Sequence, residues 1–442
     1  MDRGVPRAPA SIAPPALTPA EALDRILAQA RRLAPLDPEP VPLAEAAGRT
    51  LAEPLRARTP LPPFAASTMD GFACRAADLA APGARLRMAG TVAAGHPWRA
   101  TLRPGTCLRI FTGAPLPRGA DCIEMQERVA VRGGLARFER AGEAGRFVRR
   151  AGSDVARGAV ALAIGARLDP GAIGLAAALG RTRLSVVRRP RVAILATGDE
   201  LVALGRRPGP GQIIESNAYA LAAAVREAGG EPRLLGIARD QPAALGRAIQ
   251  RGRGADLLLT IGGVSVGVRD LVRGALIEAG TRLDFWRVAI RPGKPLLFGR
   301  LGRTLIFGLP GNPASALVGF ELFVRPALRA LAGLTGSGRV VIRARLDAAH
   351  QKPAELLACL RCRVVRRDEA PWVVAHRTQV SGDLTSAADV GALALLPAGR
   401  SHLPRGTAVD AILLGPVEEQ SPWSGTGTRA LRAASSRSHG LA

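Results

Sequence analysis

Between residues 184 and 333 the sequence alternates apolar, strand-like runs with helical segments, and this alternation restricts the fold more than any other feature. Four runs carry it: RVAILAT, EPRLLGI, ADLLLTI and RTLIFGL. Strands of continuous apolar character are typical of parallel sheets that are buried on both faces. Helical segments such as NAYALAAAVREAGG lie between them. The pattern predicts a doubly wound α/β domain over residues 184–333.

A glycine-rich turn, GGVSVGVRD, follows the third of these strands and precedes a helical segment. A strand, a glycine turn and a helix together form a phosphate cradle, because glycine lets backbone N–H groups approach an anion closely. The turn matches neither GxGxxG nor GxxxxGK[ST], the two familiar phosphate-binding patterns. It predicts an anion site of another kind, with the carboxylate of Asp270 at its exit.

The rest of the chain lacks this regular alternation of strand-like and helical segments. A capping box formed by Thr18 and Glu21 predicts an amphipathic helix in TPAEALDRILAQARRL. Residues 58–149 contain short segments broken by Gly and Pro, which indicates a β-rich region. About eighty residues after the α/β domain again suggest short strands. We expect residues 1–16 and the tail after Pro416 to be disordered because of their composition.

The charge is strongly basic, with a net charge of +25 and a pI near 11.6. Lys294 and Lys352 are the only lysines among 61 basic residues, so the rest are arginine and are scattered along the chain. Only 3 % of residues are aromatic, which leaves few platforms for stacking bases. The composition therefore favours anionic small molecules over nucleic acid as ligands.

The sequence also indicates the cellular compartment in which the protein is expected. No apolar run approaches the roughly 18 residues of a membrane helix, and the N-terminus has no apolar signal region, so we expect a cytoplasmic protein without a membrane partner. Five cysteines fit a reducing compartment. Cys359 and Cys362 form a CxxC, which we interpret as two thiols in or beside a strand, because no second ligand pair follows.

Polar side chains follow the four apolar strands, where parallel α/β sheets bind ligands. They are Asp199 and Glu200, Asp240, Ser265 with Asp270, and Asn312. Each one could be only a helix cap, and Asn312 with Pro313 suits the start of a helix. Four such ends in one domain are better explained by a phosphate-containing ligand bridged by Mg²⁺, which prefers oxygen ligands.

Lys294, in FWRVAIRPGKPLLFG, is unusual in a chain that uses arginine almost everywhere. A compact ammonium on a flexible stem suits a point contact to an oxyanion, which a guanidinium does not reproduce. Arg287 and Arg291 add positive charge nearby in sequence. Chance survival of one lysine is the alternative, and the presence of Lys352 supports that alternative.

At this point the chain resembles the MoeA family, the molybdopterin molybdenumtransferases, which includes the C-terminal part of gephyrin. Eight motifs occur in order and span roughly residues 17–415, and ordered motifs are more specific than any single pattern. They are PPFAASTMDGFA (62–73), GTCLRIFTGAPLPRGAD (105–121), RRAGSDVARGAV (149–160), VAILATGDELV (192–202), GQIIESN (211–217), GGVSVGVRD (262–270), RPGKPLLFG (291–299) and LPGNPASALV (309–318).

The resemblance implies a multidomain α/β plus β fold: a helical first domain, an inserted β-rich domain, a central MogA-like doubly wound α/β domain and a small β-barrel-like C-terminal domain. The boundaries we predict are 1–16 disordered, 17–58 and 150–183 helical, 59–149 β-rich, 184–333 α/β, 334–416 C-terminal β and 417–442 disordered. The resemblance also implies a homodimer whose active cleft lies between the α/β domain of one subunit and the β-rich domain of the other.

The implied reaction inserts molybdate into the dithiolene of adenylated molybdopterin and cleaves the pyrophosphate bond, with release of AMP. The family's motifs assign catalytic roles to Asp70, Thr112, Asp154, Glu200, Asp240, Asp270 and Lys294. They assign Mg²⁺ to Glu200, Asp240 and Asp270, and molybdate to Arg287, Arg291, Lys294 and Ser381. Cofactor binding falls on Thr197, Gly198, Asn217, Gly262, Gly263, Ser265, Gly267, Pro310, Asn312 and Ser315.

Three departures and three alternatives accompany this assignment. Arg291 and Phe72 stand where the family commonly has lysine and tyrosine, and KPAELLACLRCRVV replaces an arginine-containing stretch of the C-terminal domain. One alternative is a MogA-type adenylyltransferase, although such proteins are single-domain and carry GGTG where this chain has Val264 and Ser265. The others are a non-catalytic pterin-binding scaffold and a basic nucleic-acid binder.

Overall fold

A computed structural model of the chain describes residues 16–263, 271–367, 369–388 and 390–419. These residues form two compact units. One, which we call the inserted unit, is Pro38–Val186; the other, the main unit, contains the described residues before and after that segment. Within the described ranges, no helix has the length and apolar character needed to cross a membrane.

The described chain begins in the main unit with helix α1 (Pro19–Leu33). The predicted capping box is confirmed: Thr18 Oγ1 accepts from the amide of Glu21 at 3.2 Å, and Glu21 Oε2 accepts from the amide of Thr18 at 2.9 Å. The buried residues of the helix, Ala22, Ile26 and Ala30, recur every four residues. This apolar stripe lets α1 pack against a later helix, Arg325–Leu331.

The inserted unit is built mainly from short strands. They are β1 (Pro38–Pro42), β2 (Leu55–Arg56), β3 (Ala66–Ser67), β4 (Gly71–Cys74), β5 (Arg85–Val92), β6 (Thr106–Ile110), β7 (Cys122–Met125), β8 (Val129–Arg132), β9 (Leu135–Phe138), β10 (Val148–Arg149), β11 (Val160–Leu162) and β12 (Arg183–Val187). Helix α2 (Pro170–Ala178) and single 3₁₀ turns at Leu43–Glu45, Ala76–Leu79 and Gln126–Arg128 complete it. Six strands form one sheet in the order β7-β4-β6-β5-β9-β8.

The α/β part of the main unit follows. Its strands are β13 (Arg191–Thr197), β14 (Leu201–Val202), β15 (Ile213–Ile214), β16 (Glu231–Ala238), β17 (Leu257–Ile261), β18 (Arg282–Arg287), β19 (Ile290–Arg291), β20 (Pro295–Leu301) and β21 (Thr304–Leu309). Its helices are α3 (Asn217–Glu227), α4 (Pro242–Gly252), α5 (Leu271–Glu278), α6 (Pro313–Gly319) and α7 (Arg325–Leu331), with a π-helical turn at Phe320–Val324.

The central sheet has the order β16-β13-β17-β21-β20-β18. Its first four strands are the four apolar runs predicted from the sequence, and they pair in parallel. Every residue of β17 and β21 is buried, which explains why these runs are apolar apart from one threonine in each strand. The sequence did not indicate β18 and β20, which add an antiparallel edge. The predicted doubly wound domain is confirmed, as a mixed sheet.

The last part of the main unit is a closed β-barrel, which confirms the predicted β-barrel-like domain. Its elements are β22 (Val341–Leu346), β23 (His350–Gln351), β24 (Leu357–Arg367), β25 (Ala370–Ala375), α8 (Thr385–Ala388), β26 (Ala392–Leu396), β27 (His402–Leu403), β28 (Ala408–Leu413) and β29 (Glu418–Glu419). The five strands β24, β25, β22, β28 and β26 close because β24 pairs with both β25 and β26. Strand β19 pairs with β24, so residues beside Arg291 lie against the barrel.

Candidate functional site

A cavity of about 1220 Å³ lies in the main unit where the sheet meets the barrel. Its walls come from the carboxyl ends of β13, β17 and β21, from the segment around β19, and from barrel strand β24. Thirteen residues predicted from the sequence line it: Thr197, Gly198, Glu200, Asn217, Asp240, Gly262, Gly263, Arg291, Lys294, Pro310, Asn312, Ser315 and Ser381. The structure therefore brings most of the predicted site together in one place.

Four of the other predicted residues are described by the structure but are not in the cavity wall. Arg287 is described but is not among the lining residues, and its Nε is buried without a hydrogen-bond partner among the described atoms. Asp70, Thr112 and Asp154 belong to the inserted unit. Ser265, Gly267 and Asp270 lie outside the described residues.

The first two glycines of the turn lie where a side chain would collide with neighbouring protein atoms. Gly262 and Gly263 have φ angles of +87° and +64°, a region that favours glycine. A Cβ on Gly262 would lie 2.7 Å from the carbonyl oxygen of Thr197, and a Cβ on Gly263 would lie 2.2 Å from Cγ2 of Val272. Thr197 Oγ1 donates to the carbonyl of Ile261 at 3.1 Å, which ties the two strand ends together. The glycines thus let the turn leave the sheet at the cavity.

Asn312 connects the α/β part to the barrel rather than capping its own helix. It occupies the N-cap position of α6 but makes no side-chain cap hydrogen bond, so the capping interpretation is wrong in that respect. Its Nδ2 donates to Oγ of Ser381 at 2.9 Å, and the carbonyl of Ser381 accepts from the amide of Ala314 at 3.1 Å. Ser381, proposed from a weak match, therefore lies beside the PGNP turn.

A buried arginine of the barrel holds the loop that carries Ser381. Arg361, on β24, is 1 % exposed, and its guanidinium donates to the carbonyl of Val380 at 2.9 Å and to Oγ of Ser386 at 3.1 Å. The side-chain amide of Gln379 bonds the backbone N–H and carbonyl of Arg361, at 3.0 and 2.8 Å. These contacts fix the backbone on both sides of Ser381. No pattern in the sequence around Arg361 predicted this role.

Carboxylates gather at the ends of β13 and β16. Burial raises the pKa of Asp240 above its usual range, and the neighbouring Asp199 and Glu200 carboxylates raise it further. Asp199 Oδ1 also accepts from the amide of Asp240 at 3.2 Å. Like charges held close together favour a bound cation, and carboxylate oxygens are the ligands that Mg²⁺ prefers. In the described ranges, however, no group of three or more His, Cys, Asp or Glu side chains is arranged to hold a metal ion.

Replacing Asp240 with asparagine should stabilise the fold slightly at neutral pH. A carboxyl whose pKa is higher in the folded chain than in the unfolded chain costs stability above both values, and the cost vanishes below the unfolded-state pKa. We expect the Asp240→Asn variant to gain less than about 1 kcal/mol at pH 7 and to lose that gain as the pH falls towards about 4. Urea unfolding across this pH range measures it.

Asp410→Asn is the matched control, because Asp410 is exposed and pairs with Arg343 at 2.9 Å. We expect no gain in stability from that change at pH 7. A less stable Asp240→Asn protein at pH 7 would contradict the repulsion inferred between Asp240, Asp199 and Glu200.

Two charged residues of the cavity wall were not predicted. Glu215 is 5 % exposed, and its carboxylate accepts from the amide of Ala218 at 2.7 Å, where it caps α3. Lys352, interpreted from the sequence only as a sign that the arginine bias is incomplete, is 8 % exposed and also lines the cavity. The signal for Lys352 was its residue type, since the chain has only one other lysine.

The predicted residues of the inserted unit form two exposed polar groups of their own. Asp70 Oδ1 accepts from the amide of Thr112 at 2.7 Å and from its hydroxyl at 2.8 Å. These bonds lower the pKa of Asp70 below its usual range, the backbone bond first. Asp154 pairs with Arg149 and accepts from Oγ of Ser153 at 3.2 Å. The two hydrogen bonds from Thr112 therefore favour the ionised form of Asp70.

Comparison with known proteins identifies two family regions. The model described as "MoeA N-terminal region (domain I and II)" matches residues 17–180, and the one described as "Probable molybdopterin binding domain" matches residues 193–330. The molybdopterin molybdenumtransferase of Nostoc sp. is 36 % identical over 84 % of this chain and 88 % of its own length. Molybdopterin molybdenumtransferase 2 of Mycobacterium tuberculosis is 41 % identical over 72 % of this chain and 80 % of its own.

A solved structure extends the likeness to the fold. The crystal structure of the molybdopterin biosynthesis MoeA protein from Pyrococcus horikoshii superposes with a TM-score of 0.76 and 30 % identity. The match covers 91 % of this chain and 100 % of that one. The sequence matches and the structural match thus span the inserted unit, the α/β sheet and the barrel together. The chain belongs to the MoeA family of molybdopterin molybdenumtransferases.

Proposed function

We propose that this chain is a molybdopterin molybdenumtransferase of molybdenum-cofactor biosynthesis: it inserts molybdate into the dithiolene of adenylated molybdopterin and releases AMP. One observation carries the proposal. The cavity places the cations Arg291 and Lys294 in the same wall as the carboxylates Glu200 and Asp240. A molybdate dianion needs cationic contacts, and a pyrophosphate that is cleaved needs a cation-binding carboxylate set beside it.

The cationic side of the cavity is available to a ligand. Lys294 is exposed, and none of the carboxylates in the described ranges lies within ion-pair distance of it. Asn312 of the α/β part and Ser381 of the barrel part add polar side chains, already linked at 2.9 Å. An ammonium and a hydroxyl donor together suit a tetrahedral oxyanion, because both make point contacts to separate oxygens.

Glu200 and Asp240 would hold Mg²⁺ together with oxygens of the substrate phosphates and water. The fit rests on the raised pKa of Asp240, because a cation would relieve the repulsion that Asp199 and Glu200 cause. When bound, the ion supplies charge neutralisation on the bridging phosphate oxygens. The protein's own part is to hold these carboxylates at the strand ends and to orient the phosphates beside the glycine turn, whose Gly262 and Gly263 line the same cavity.

A MogA-type adenylyltransferase is the nearest alternative, and the comparisons disfavour it. The match to the MoeA N-terminal region covers residues 17–180, a part that a single-domain adenylyltransferase lacks. A scaffold without catalysis would not need ionisable groups of both signs in one cavity. We also propose that the chain is a cytoplasmic homodimer; sedimentation of the full chain tests the dimer.

The experiment that tests the function uses purified full-length protein with adenylated molybdopterin, Mg²⁺ and molybdate, and follows AMP release and cofactor formation. We expect molybdate-dependent AMP release that the Glu200→Gln variant loses. Glu278→Gln, at an exposed position at the end of α5, is the control and should keep wild-type rates. Binding of adenylated molybdopterin by the wild type without any AMP release would instead favour the scaffold.

A further inference from the structure

Both lysines of the chain line the same cavity. Lys294 lies just before β20, and Lys352 follows β23, 58 positions later in the sequence. Elsewhere the chain uses arginine for every basic residue, and Arg291 is the one arginine among the lining residues that the structure describes. A composition so strongly biased towards arginine makes a shared location of the two lysines informative. It indicates that the cavity requires the ammonium group itself.

The ammonium of Lys352 is buried and incompletely bonded. The residue is 8 % exposed, and Nζ donates to the carbonyl of Leu356 at 2.8 Å and to the carbonyl of Pro353 at 3.2 Å. An ammonium has three N–H donors, so one remains without an acceptor within the described part of the chain. Glu355, the neighbouring carboxylate, is exposed and lies beyond ion-pair distance.

A buried cation in this state is costly unless something compensates it. Burial of an ammonium is unfavourable without a paired charge or a full set of hydrogen bonds. The two carbonyls hold Nζ in place but bring only partial negative charge. An anionic oxygen in the cavity would provide both the third acceptor and the missing charge. The position would therefore favour an anion more strongly than an exposed lysine does.

Arginine would not fill this position equally well. The guanidinium carries five N–H donors in a rigid planar fork, whereas the turn from Pro353 to Leu356 offers two carbonyl acceptors to Lys352. The larger group would leave more buried donors unsatisfied. This explains why lysine is present at this position in a chain that otherwise avoids it.

We propose that Lys352 is a second anion-contacting residue of the cavity, whose free ammonium N–H binds an oxygen of the oxyanion that Lys294 also contacts. The proposal rests on the proposed function for the identity of that oxyanion, which is either molybdate or a phosphate group of the pterin nucleotide. In both cases the barrel contributes a cation of its own to the cavity. Lys352 is the first residue of KPAELLACLRCRVV, the stretch of the C-terminal domain that departs from the family pattern.

The test compares Lys352→Met and Lys352→Arg with the full-length wild type. Titration calorimetry with sodium molybdate, and separately with inorganic pyrophosphate, measures the affinity for each oxyanion without any turnover. We expect Lys352→Met to weaken binding of one of the two by about tenfold, as for loss of a charged hydrogen bond. Which anion loses affinity identifies the ligand of Lys352. We expect Lys352→Arg to restore less than the full affinity.

A structural role alone predicts a different set of results. If Lys352 only fastens the turn from Pro353 to Leu356, Lys352→Met lowers the free energy of unfolding and leaves both affinities at the wild-type value. That outcome would overturn the proposal. Arg366→Met, at an exposed position on β24, is the control and should change neither quantity. Molybdate binding without cofactor formation in the wild type would count against the proposed function, while the affinities would still decide the role of Lys352.

Discussion

Changing Lys294 to methionine is expected to reduce molybdate-dependent cofactor formation by about 100-fold, as for loss of one preorganised electrostatic contact to a reacting group. Lys294 lines the cavity, is exposed and pairs with none of the described carboxylates, so its charge is available to the ligand. Methionine keeps the length and the apolar stem but removes the charge. Initial rates at several molybdate concentrations measure the effect.

The fold should tolerate this change. Substitutions of exposed residues usually alter the free energy of unfolding by less than about 0.5 kcal/mol. Arg303→Met, in the exposed turn between β20 and β21, removes a charge from the same domain outside the cavity wall and should keep wild-type rates. Lys294→Arg should recover only part of the rate, because a guanidinium does not reproduce the point contact. Equal rates for wild type and Lys294→Met would remove Lys294 from the site.

Changing Gly263 to alanine is expected to destabilise the α/β part of the main unit by about 3 kcal/mol, the sum of left-handed backbone strain and overpacking. The added Cβ would lie 2.2 Å from Cγ2 of Val272, at a φ of +64°. Either the turn or helix α5 must move, and Gly262 and Gly263 of the turn line the cavity. We therefore expect loss of pterin-nucleotide binding together with the loss of stability. Urea unfolding and a binding titration measure the two effects.

The Gly302→Ala variant separates the cost of left-handed backbone strain from the cost of overpacking. Gly302 lies in the same unit with a φ of +61°, but a Cβ there would meet no atom within 4 Å. It should cost only the backbone strain, about 1 kcal/mol. The difference between the two variants then measures the contact with Val272. If both variants lose the same free energy of unfolding, close packing at Gly263 is not what requires glycine.

Local patterns were enough to predict the four parallel strands. Strands β13, β17 and β21 are buried almost throughout, and their sequences show continuous apolar residues. The edge strand β16 is mostly exposed or half-buried, but its apolar run was still visible in the sequence. The capping box of α1 was equally local, since Thr18 and Glu21 are three residues apart. Strand-end carboxylates such as Glu200 and Asp240 were found because parallel strands end at one edge of the sheet. Family motifs then supplied the barrel-like domain and Ser381.

Contacts between residues distant in sequence could not be read from such patterns. The side chain of Asn312 bonds Ser381, 69 residues away, although its position at a helix start suggests a cap. Strands β18 and β20 pair on either side of the segment that contains RPGKP. From the sequence, this segment was interpreted only as a ligand-binding motif. Arg361 and Lys352 were missed because their roles depend on burial against loops of the barrel. Nothing in their immediate neighbours distinguishes them from exposed basic residues.

The central claim, that molybdate binds in the cavity between the sheet and the barrel, is tested most directly by anomalous diffraction from crystals soaked in sodium molybdate. Data collected on either side of the molybdenum absorption edge locate the metal without reference to any assumed ligand. We expect one strong peak within contact distance of the Lys294 ammonium, on the side of the cavity that Asn312 and Ser381 line. A peak elsewhere on the protein, with this cavity empty in crystals of active enzyme, would contradict the account.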